Sequence, residues 1–322
     1  MLRKIAKMTN RHLTGGVARL LFSVVFLFFI LWKVGAENTL SRMSSLQFDK
    51  LPVVVVLLLL TISLHTKRWI WMLQSMGYCW GFRDAFRETW IGYFFNQLLP
   101  SSVGGDGVRG LRLYRAGIPA GVAARSVVAE RVFGLMACVL LAIISVPILL
   151  WQAPNAPVTK GVCLVVILSM LGMLFVLRPN RIILKFLPSR IEKEVVVLSK
   201  LINKQSFCKM LSISVAMQLT IAGSIGVLGL GLGIEKNPLI IAMLFQPVTL
   251  MTLLPVSFAG WGIREGALVA ILGVVGVPSI EALPLSLTFG GILLFISLPG
   301  WFFYVTVKLV VPCHTLNASP KL

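Results

Sequence analysis

Charge is what this chain has least of. Asp, Glu, Lys and Arg make up 13% of its 322 residues, about half the share usual in a soluble domain. The apolar share is 57%, which leaves too little polar surface to coat a water-soluble globule. Histidine and cysteine are also sparse. His12, His65 and His314 stand far apart, and Cys79, Cys138, Cys163, Cys208 and Cys313 form no Cys-x-x-Cys spacing. The cysteines read as small buried hydrophobes, so no metal centre, disulfide framework or cofactor is expected. No P-loop, His-Glu-x-x-His, nucleophile elbow or Asp-x-Asp pattern is present, which disfavours a nucleotide-driven pump and an enzyme and favours a transporter.

Long apolar runs are what the chain has in abundance. A helical span needs about 20 apolar residues to cross a hydrocarbon core of about 30 Å, and runs of that order recur throughout. Val17 to Val34 imitates a signal peptide, but it is too long for a signal core and Trp32 and Lys33 suit a cleavage site badly, so it is read as a retained span. Leu51 to Thr66 follows, ending at an expected interface anchor, Lys67-Arg68-Trp69. Trp71, Trp80 and Trp90 are also expected as interface anchors. Further spans are expected at about Ser126–Trp151, Val158–Leu177, Met210–Leu232 and Leu283–Val311, the last kinked at Pro299-Gly300.

Two apolar runs stop at prolines instead. Ala85 to Leu99 ends at Pro100, and Pro238 to Leu254 ends at Pro255. Each is too short to cross. Ser101 to Gly110 holds four glycines and is expected to be non-helical. Gly110 to Ile118 follows, with Arg109, Arg112 and Arg115 at three-residue spacing and Leu111, Tyr114 and Ile118 on the other face, an expected amphipathic surface segment. Residues 178–209 carry eight basic residues with apolar positions at helical spacing, a second such segment on the cytoplasmic side.

The net charge of +19 would suggest nucleic acid in a soluble protein. Here the basic residues sit between apolar runs, which points to topology and anionic lipid head groups and away from nucleic acid. With the N-terminus inside and both proline-stopped runs re-entering, only Lys33, Arg42, Lys50, Lys160, Lys236 and Arg264 of the 30 basic residues fall to the outer side or the membrane. Both termini are therefore expected in the cytoplasm.

The two breaks resemble each other. Leu98-Leu99-Pro100-Ser101-Ser102-Val103-Gly104-Gly105-Asp106-Gly107-Val108-Arg109 aligns without a gap on Leu253-Leu254-Pro255-Val256-Ser257-Phe258-Ala259-Gly260-Trp261-Gly262-Ile263-Arg264. Ala116-Gly117-Ile118-Pro119 then parallels Val275-Gly276-Val277-Pro278 after four inserted residues. Paired, interrupted apolar segments in opposite orientation mark a transporter-type site near the midplane. The expected fold is an all-α polytopic membrane protein with six full spans plus two inverted re-entrant helical repeats, or eight spans if both cross. The repeats are placed at about residues 85–177 and 238–311.

Non-helical backbone at membrane depth must be buried in protein or line a wet cavity, and the amide ends of broken helices favour phosphate or carboxylate. Gly104, Gly105 and Gly107 would let an anionic head group approach closely. Intramembrane charges face the interior and find partners. Arg109, Arg131 and Arg264 are thus candidates to contact an anionic lipid, with Asp106, Glu130 and Glu265 holding the arginines or carrying a proton. The same six residues read equally well as buried ion pairs that lock the two repeats together.

The stretch Asn96-Gln97-Leu98-Leu99-Pro100-Ser101-x-x-Gly104-Gly105-Asp106-Gly107-x-Arg109, with Gly117 and Ser126-x-x-x-Glu130-Arg131 after it, resembles the signature of the lysylphosphatidylglycerol synthase transmembrane-region family. Pro255-x-Ser257-x-x-Gly260-x-Gly262-x-Arg264-Glu265-Gly266 is similar to that family's second motif. The resemblance covers roughly residues 15–310. It implies a bacterial inner-membrane protein that moves or makes a lipid, with Asp106, Arg109, Glu130, Arg131, Arg264 and Glu265 taking over the family's motif residues; together with Asn96, Gly104, Gly105, Gly260 and Gly262 these are the expected substrate-binding residues. Members fused to a cytosolic aminoacyl-transferase domain flip lysyl-phosphatidylglycerol, and others are linked with glycosyltransferases or polyprenyl-linked sugars. No soluble synthase domain is expected after Leu322, so aminoacyl transfer by this chain alone is not expected. The expected partners are an anionic lipid or lipid-linked sugar and the membrane, with a glycosyltransferase or lipid synthase as a protein partner. The alternatives are a membrane-embedded transferase acting on a lipid head group and a non-catalytic partner of a glycosyltransferase.

Overall fold

The structure, a computed structural model, describes residues 21, 23–99, 104–177, 204–252, 259–307 and 313–314. The motif prolines Pro100 and Pro255 and most of the basic segment expected over 178–209 lie outside these. The described residues form an all-α membrane protein. Five helices are long and apolar enough to cross a bilayer, or six if the bent pair at the start counts as one. That pair is α1 (Ser23–Val34) and α2 (Ala36–Ser44), which meet at 85°. Gly35 turns the chain there with a φ of 95°, a conformation open to glycine without a Cβ penalty.

The five long helices are α3 (Leu51–Ser75), α6 (Ala120–Gln152), α7 (Pro157–Leu177), α8 (Lys204–Gly231) and α11 (Ser279–Ser297) continuing into α12 (Pro299–Thr306). Helix α8 packs on α3, α6 and α9 (Pro238–Thr252) and is the centre of the bundle. Outward-facing Val24, Phe28, Ile144, Leu168, Phe295 and Phe302 are exposed, as lipid-facing positions are. Helix α3 runs nine residues beyond the expected end at Thr66, so Lys67-Arg68-Trp69 is not a terminal anchor. Arg68 and Trp69 are buried, because they face other helices and not the interface. Trp80 is buried as well, whereas Trp71 is exposed.

The first broken segment is a helical hairpin. Helix α4 (Phe82–Leu98) and α5 (Gly104–Arg115) run antiparallel, as three contacts show in succession. Asn96 Oδ1 accepts from the Gly105 N–H at 2.9 Å, Gly92 lies on Gly105 and Arg109, and Glu88 binds Arg112. The four glycines expected to be non-helical are in helix α5. A Cβ on Gly105 would lie 1.9 Å from the Gly92 carbonyl oxygen, so the small residues let two backbones touch. The arginine-bearing face also differs from expectation. Arg109 and Arg112 are buried while Leu111 and Tyr114 are 47% and 56% exposed, because in a bilayer the apolar side faces lipid.

Helix α9 and α10 (Ile263–Val274) form the second hairpin and pack on each other. The two hairpins are rooted at opposite ends of the bundle. At one end Trp80 and Ile118, which flank the first hairpin, share a cluster with Trp69, Leu73 and Tyr78, and Cys79 pairs with Cys313 in a short strand contact. At the other end the Gln47 N–H donates to the Gly231 carbonyl at 2.8 Å, and Arg42 meets Glu281 at 3.5 Å just after the second hairpin. Each half-helix is about 18–26 Å long at 1.5 Å per residue, short of a hydrocarbon core of about 30 Å.

The hairpins end alike. After α5, the amides of Ala116, Gly117 and Ile118 donate to Leu113, Tyr114 and Leu113; after α10, those of Val275, Gly276 and Val277 donate to Leu272, Gly273 and Leu272. Gly117 and Gly276 have φ of 92° and 86°, and Pro119 and Pro278 then cap the following helices. In this helical register Glu265 corresponds to Asp106, whereas the gapless motif alignment had set Arg264 opposite Arg109. The second break, 253–262 against 99–103, holds the extra residues.

Candidate functional site

The sequence-selected charges form two groups. The first gathers on α3, α5 and α6. Glu130 is bonded to the Arg109 Nη2, and its Oε1 lies 3.1 Å from His65 Nε2 and 3.6 Å from Arg68 Nε. Arg109 Nη1 is 3.2 Å from the same His65 nitrogen. Arg68 Nη1 donates to Ser214 Oγ at 2.9 Å, and the Arg109 guanidinium lies 4.3 Å from the Trp69 ring. Beside this cluster Arg131 donates to Asp106 at 2.5 Å. Burying a charge is expensive unless it is paired; Glu130 pairs with Arg109 and Asp106 with Arg131, which leaves Arg68 only the longer contact to Glu130. On the outer side of the hairpin Arg112 makes a two-pronged contact with Glu88, both bonds 2.6 Å, a fork geometry peculiar to arginine.

The second group sits at the tip of the second hairpin. Glu265 accepts from the Gly262 N–H at 2.6 Å, from Arg264 at 2.7 and 3.0 Å, and from Ser286 at 3.1 Å. The carboxylate thus caps the first turn of α10, and Gly262, at a φ of 85°, sets the turn that makes this cap reachable. The Arg264 guanidinium lies 4.7 Å from the Trp261 ring. It occupies a notch above Gly290, where a Cβ would lie 2.0 Å from its Nη2.

Between the hairpin tips lies a cavity of about 240 Å³. The first tip contributes Asn96 and Gln97, and the second Ala259, Gly260 and Arg264. Thr61, Tyr93, Thr249 and Thr252 add hydroxyls, and Ile62, Phe245, Phe289 and Leu293 supply apolar walls. Of the residues selected from sequence, Asn96, Gly260 and Arg264 line this space, and Glu265 and Gly262 lie directly behind it. Arg109, Glu130, Arg131 and Asp106 are held in ion pairs away from the lining, and Gly104 and Gly105 pack against α4. Gly107 faces open space.

Sequence reasoning missed His65, Arg68, Tyr93, Glu88 and Ser286 as site residues. A signal existed for two of them. Thr61, His65 and Arg68 recur at four and three residues within an apolar helix, which places them on one face, and a polar stripe there has to meet other polar groups. Among the described residues no group of three or more His, Cys, Asp and Glu side chains could hold a metal ion.

No curated protein matches this chain. A family model described as the lysylphosphatidylglycerol synthase TM region matches residues 16–300. That range takes in both hairpins, the buried ion cluster and the cavity between the tips. The chain therefore belongs to the lysylphosphatidylglycerol synthase transmembrane-region family.

Proposed function

We propose that this protein moves an anionic lipid, a phospholipid or a polyprenyl-phosphate-linked sugar, between the two leaflets. The head group binds in the cavity between the hairpin tips. The observation that carries this reading is that one cavity is bounded by two hairpins rooted at opposite ends of the bundle. A site shared by inverted halves is the arrangement alternating access requires, because rocking one half against the other opens the same site to each side in turn.

The lining supports the same occupant. Arg264 brings cationic charge, and an entering phosphate competes with Glu265 for its donors. The hydroxyls and amides of Thr61, Asn96, Gln97, Thr249 and Thr252 suit head-group hydroxyls, and the volume leaves the acyl or prenyl chains outside in the bilayer. On this reading the protein sits in a bacterial inner membrane with both termini and the first hairpin's base in the cytoplasm, supported by the basic Arg83, Arg87, Arg115 and Lys209 towards that end. A glycosyltransferase or lipid synthase in the same membrane supplies the substrate.

The test is transbilayer exchange of fluorescent phosphatidylglycerol in vesicles holding the purified protein, read by chemical quenching of the outer leaflet. Arg264→Gln and Thr249→Leu are expected to slow exchange about tenfold, the size of a lost charge-assisted contact. Exchange equal to protein-free vesicles in the unmutated protein, or unchanged in both variants, defeats the reading.

A further inference from the structure

We propose that Tyr93, His65 and Glu130 form a proton relay between the cavity and the buried ion cluster, so that the protein moves protons together with its lipid. This rests on the cavity being the lipid site, and gives a route to the proton that the sequence left Glu130 free to carry.

The relay is visible as a chain of contacts. Tyr93 lines the cavity, and its hydroxyl lies 3.3 Å from His65 Nδ1. The far ring nitrogen, Nε2, lies 3.1 Å from Glu130 Oε1 and 3.2 Å from Arg109 Nη1. One nitrogen is thus placed between an acceptor and a donor and can serve only one of them at a time. With Nε2 bare it accepts from Arg109, and Nδ1–H donates to the Tyr93 oxygen. With Nε2 protonated it donates to Glu130, and Tyr93 donates to Nδ1. These are two tautomers of one neutral ring, and changing between them displaces one proton at each end.

The cluster is left incomplete by the present arrangement. Arg68 Nε, Arg109 Nε and Glu130 Oε1 are buried without a hydrogen bond, and two arginines face one glutamate. Fully satisfied buried networks serve as structural locks, whereas an unsatisfied one leaves a place for a further proton or charge. The groups facing His65 are Arg68 on its own helix, Tyr93 on α4, Asp106 and Arg109 on α5, and Glu130 and Arg131 on α6.

The transfer balances. A hydronium in the cavity gives a proton to the Tyr93 oxygen and leaves as water, as the Tyr93 proton passes to Nδ1 of a ring that starts with its proton on Nε2. The Nε2–H bond breaks and its proton joins Glu130 Oε1. One proton has moved from the cavity to Glu130, and the imidazole has changed tautomer. Neutral Glu130 no longer balances Arg109 and Arg68, and an anionic head group in the adjacent cavity restores the balance. Proton and anion are therefore taken up together, which gives passive lipid exchange a direction when a pH gradient is present.

The experiment uses the full-length protein in phosphatidylcholine vesicles with fluorescent phosphatidylglycerol as the probe lipid and a trapped pH dye. In the unmutated protein an imposed pH gradient is expected to accelerate inward exchange from the acidic side, accompanied by a proton signal. His65→Gln and Tyr93→Phe are expected to cut the proton signal about tenfold or more and to remove the response to the gradient. Lipid exchange that ignores the gradient in the unmutated protein, or a gradient response that survives both variants, overturns the relay while leaving the cavity reading intact. Proton movement without lipid exchange sustains the relay and removes the lipid assignment. Should the variants fail to fold, nitrogen-15 labelling of the histidines in the unmutated protein decides. A His65 ring that stays neutral and changes tautomer when the pH is lowered, as proton uptake by Glu130 requires, supports the relay, and one locked in a single tautomer overturns it.

Discussion

At the scale of single residues, the charges near the breaks were legible because each is costly in an apolar run and needs a reason to be there. Their partners were not. Glu88 is twenty-four positions from Arg112, and no local spacing connects them. Removing one member of such a pair strands the other, at a cost of about 3–5 kcal/mol, whereas replacing both with apolar residues of similar size is often neutral. Arg112→Ala is therefore expected to destabilise the protein by that amount in detergent unfolding, and Glu88→Leu with Arg112→Met to recover most of it. Arg109→Ala belongs to the same class. Its loss leaves Glu130 buried without its closest donor, so reduced folding yield is expected before any transport defect is measurable. Equal stability of Arg112→Ala and the double variant would count against the buried pairing.

At the scale of elements, the Leu-Leu-Pro breaks were readable from proline and glycine, and the helices on either side of each break, α4 with α5 and α9 with α10, pack on each other. The helix that follows the first break was misread as irregular because glycine disfavours helices by about 1 kcal/mol relative to alanine. Close packing of α5 on α4 overrides that preference, and the inference from sequence had no access to the partner helix. The glycines are consequently unequal. Gly105→Val drives a side chain into the Gly92 carbonyl and should prevent the hairpin from forming, seen as loss of monodisperse protein. Gly107→Ala meets nothing within 4 Å and should raise the unfolding midpoint slightly through helix propensity. Gly290→Ala would place a methyl where Arg264 Nη2 now lies. The expected outcome is an arginine displaced from buried Glu265, with lipid exchange impaired and the unfolding midpoint lowered by the stranded carboxylate.

For the whole molecule, opposite rooting of the hairpins gives a topology that native residues can check. Cys208 is exposed at the start of α8, at the end of the bundle where Lys209 lies beside Ser75. Asn237 is exposed near the other end, before α9. In a background lacking the native cysteines, a membrane-impermeant maleimide added to intact cells should label Asn237→Cys, and with Cys208 kept as the single cysteine it should react only after the membrane is opened. Labelling of both from outside would place the hairpins on one side and remove the basis for alternating access.

Sequence alone determined that the chain lives in a membrane, that two apolar segments break at prolines, and which family it joins, because each of these depends on composition or on residues close together along the chain. Tertiary structure alone decided which face of each helix turns inward, which charges neutralise one another, and that both hairpin tips bound one cavity. In a bilayer the lipid is as apolar as the core, so hydrophobicity cannot say which side of a helix is buried; only contact with the neighbouring helices does.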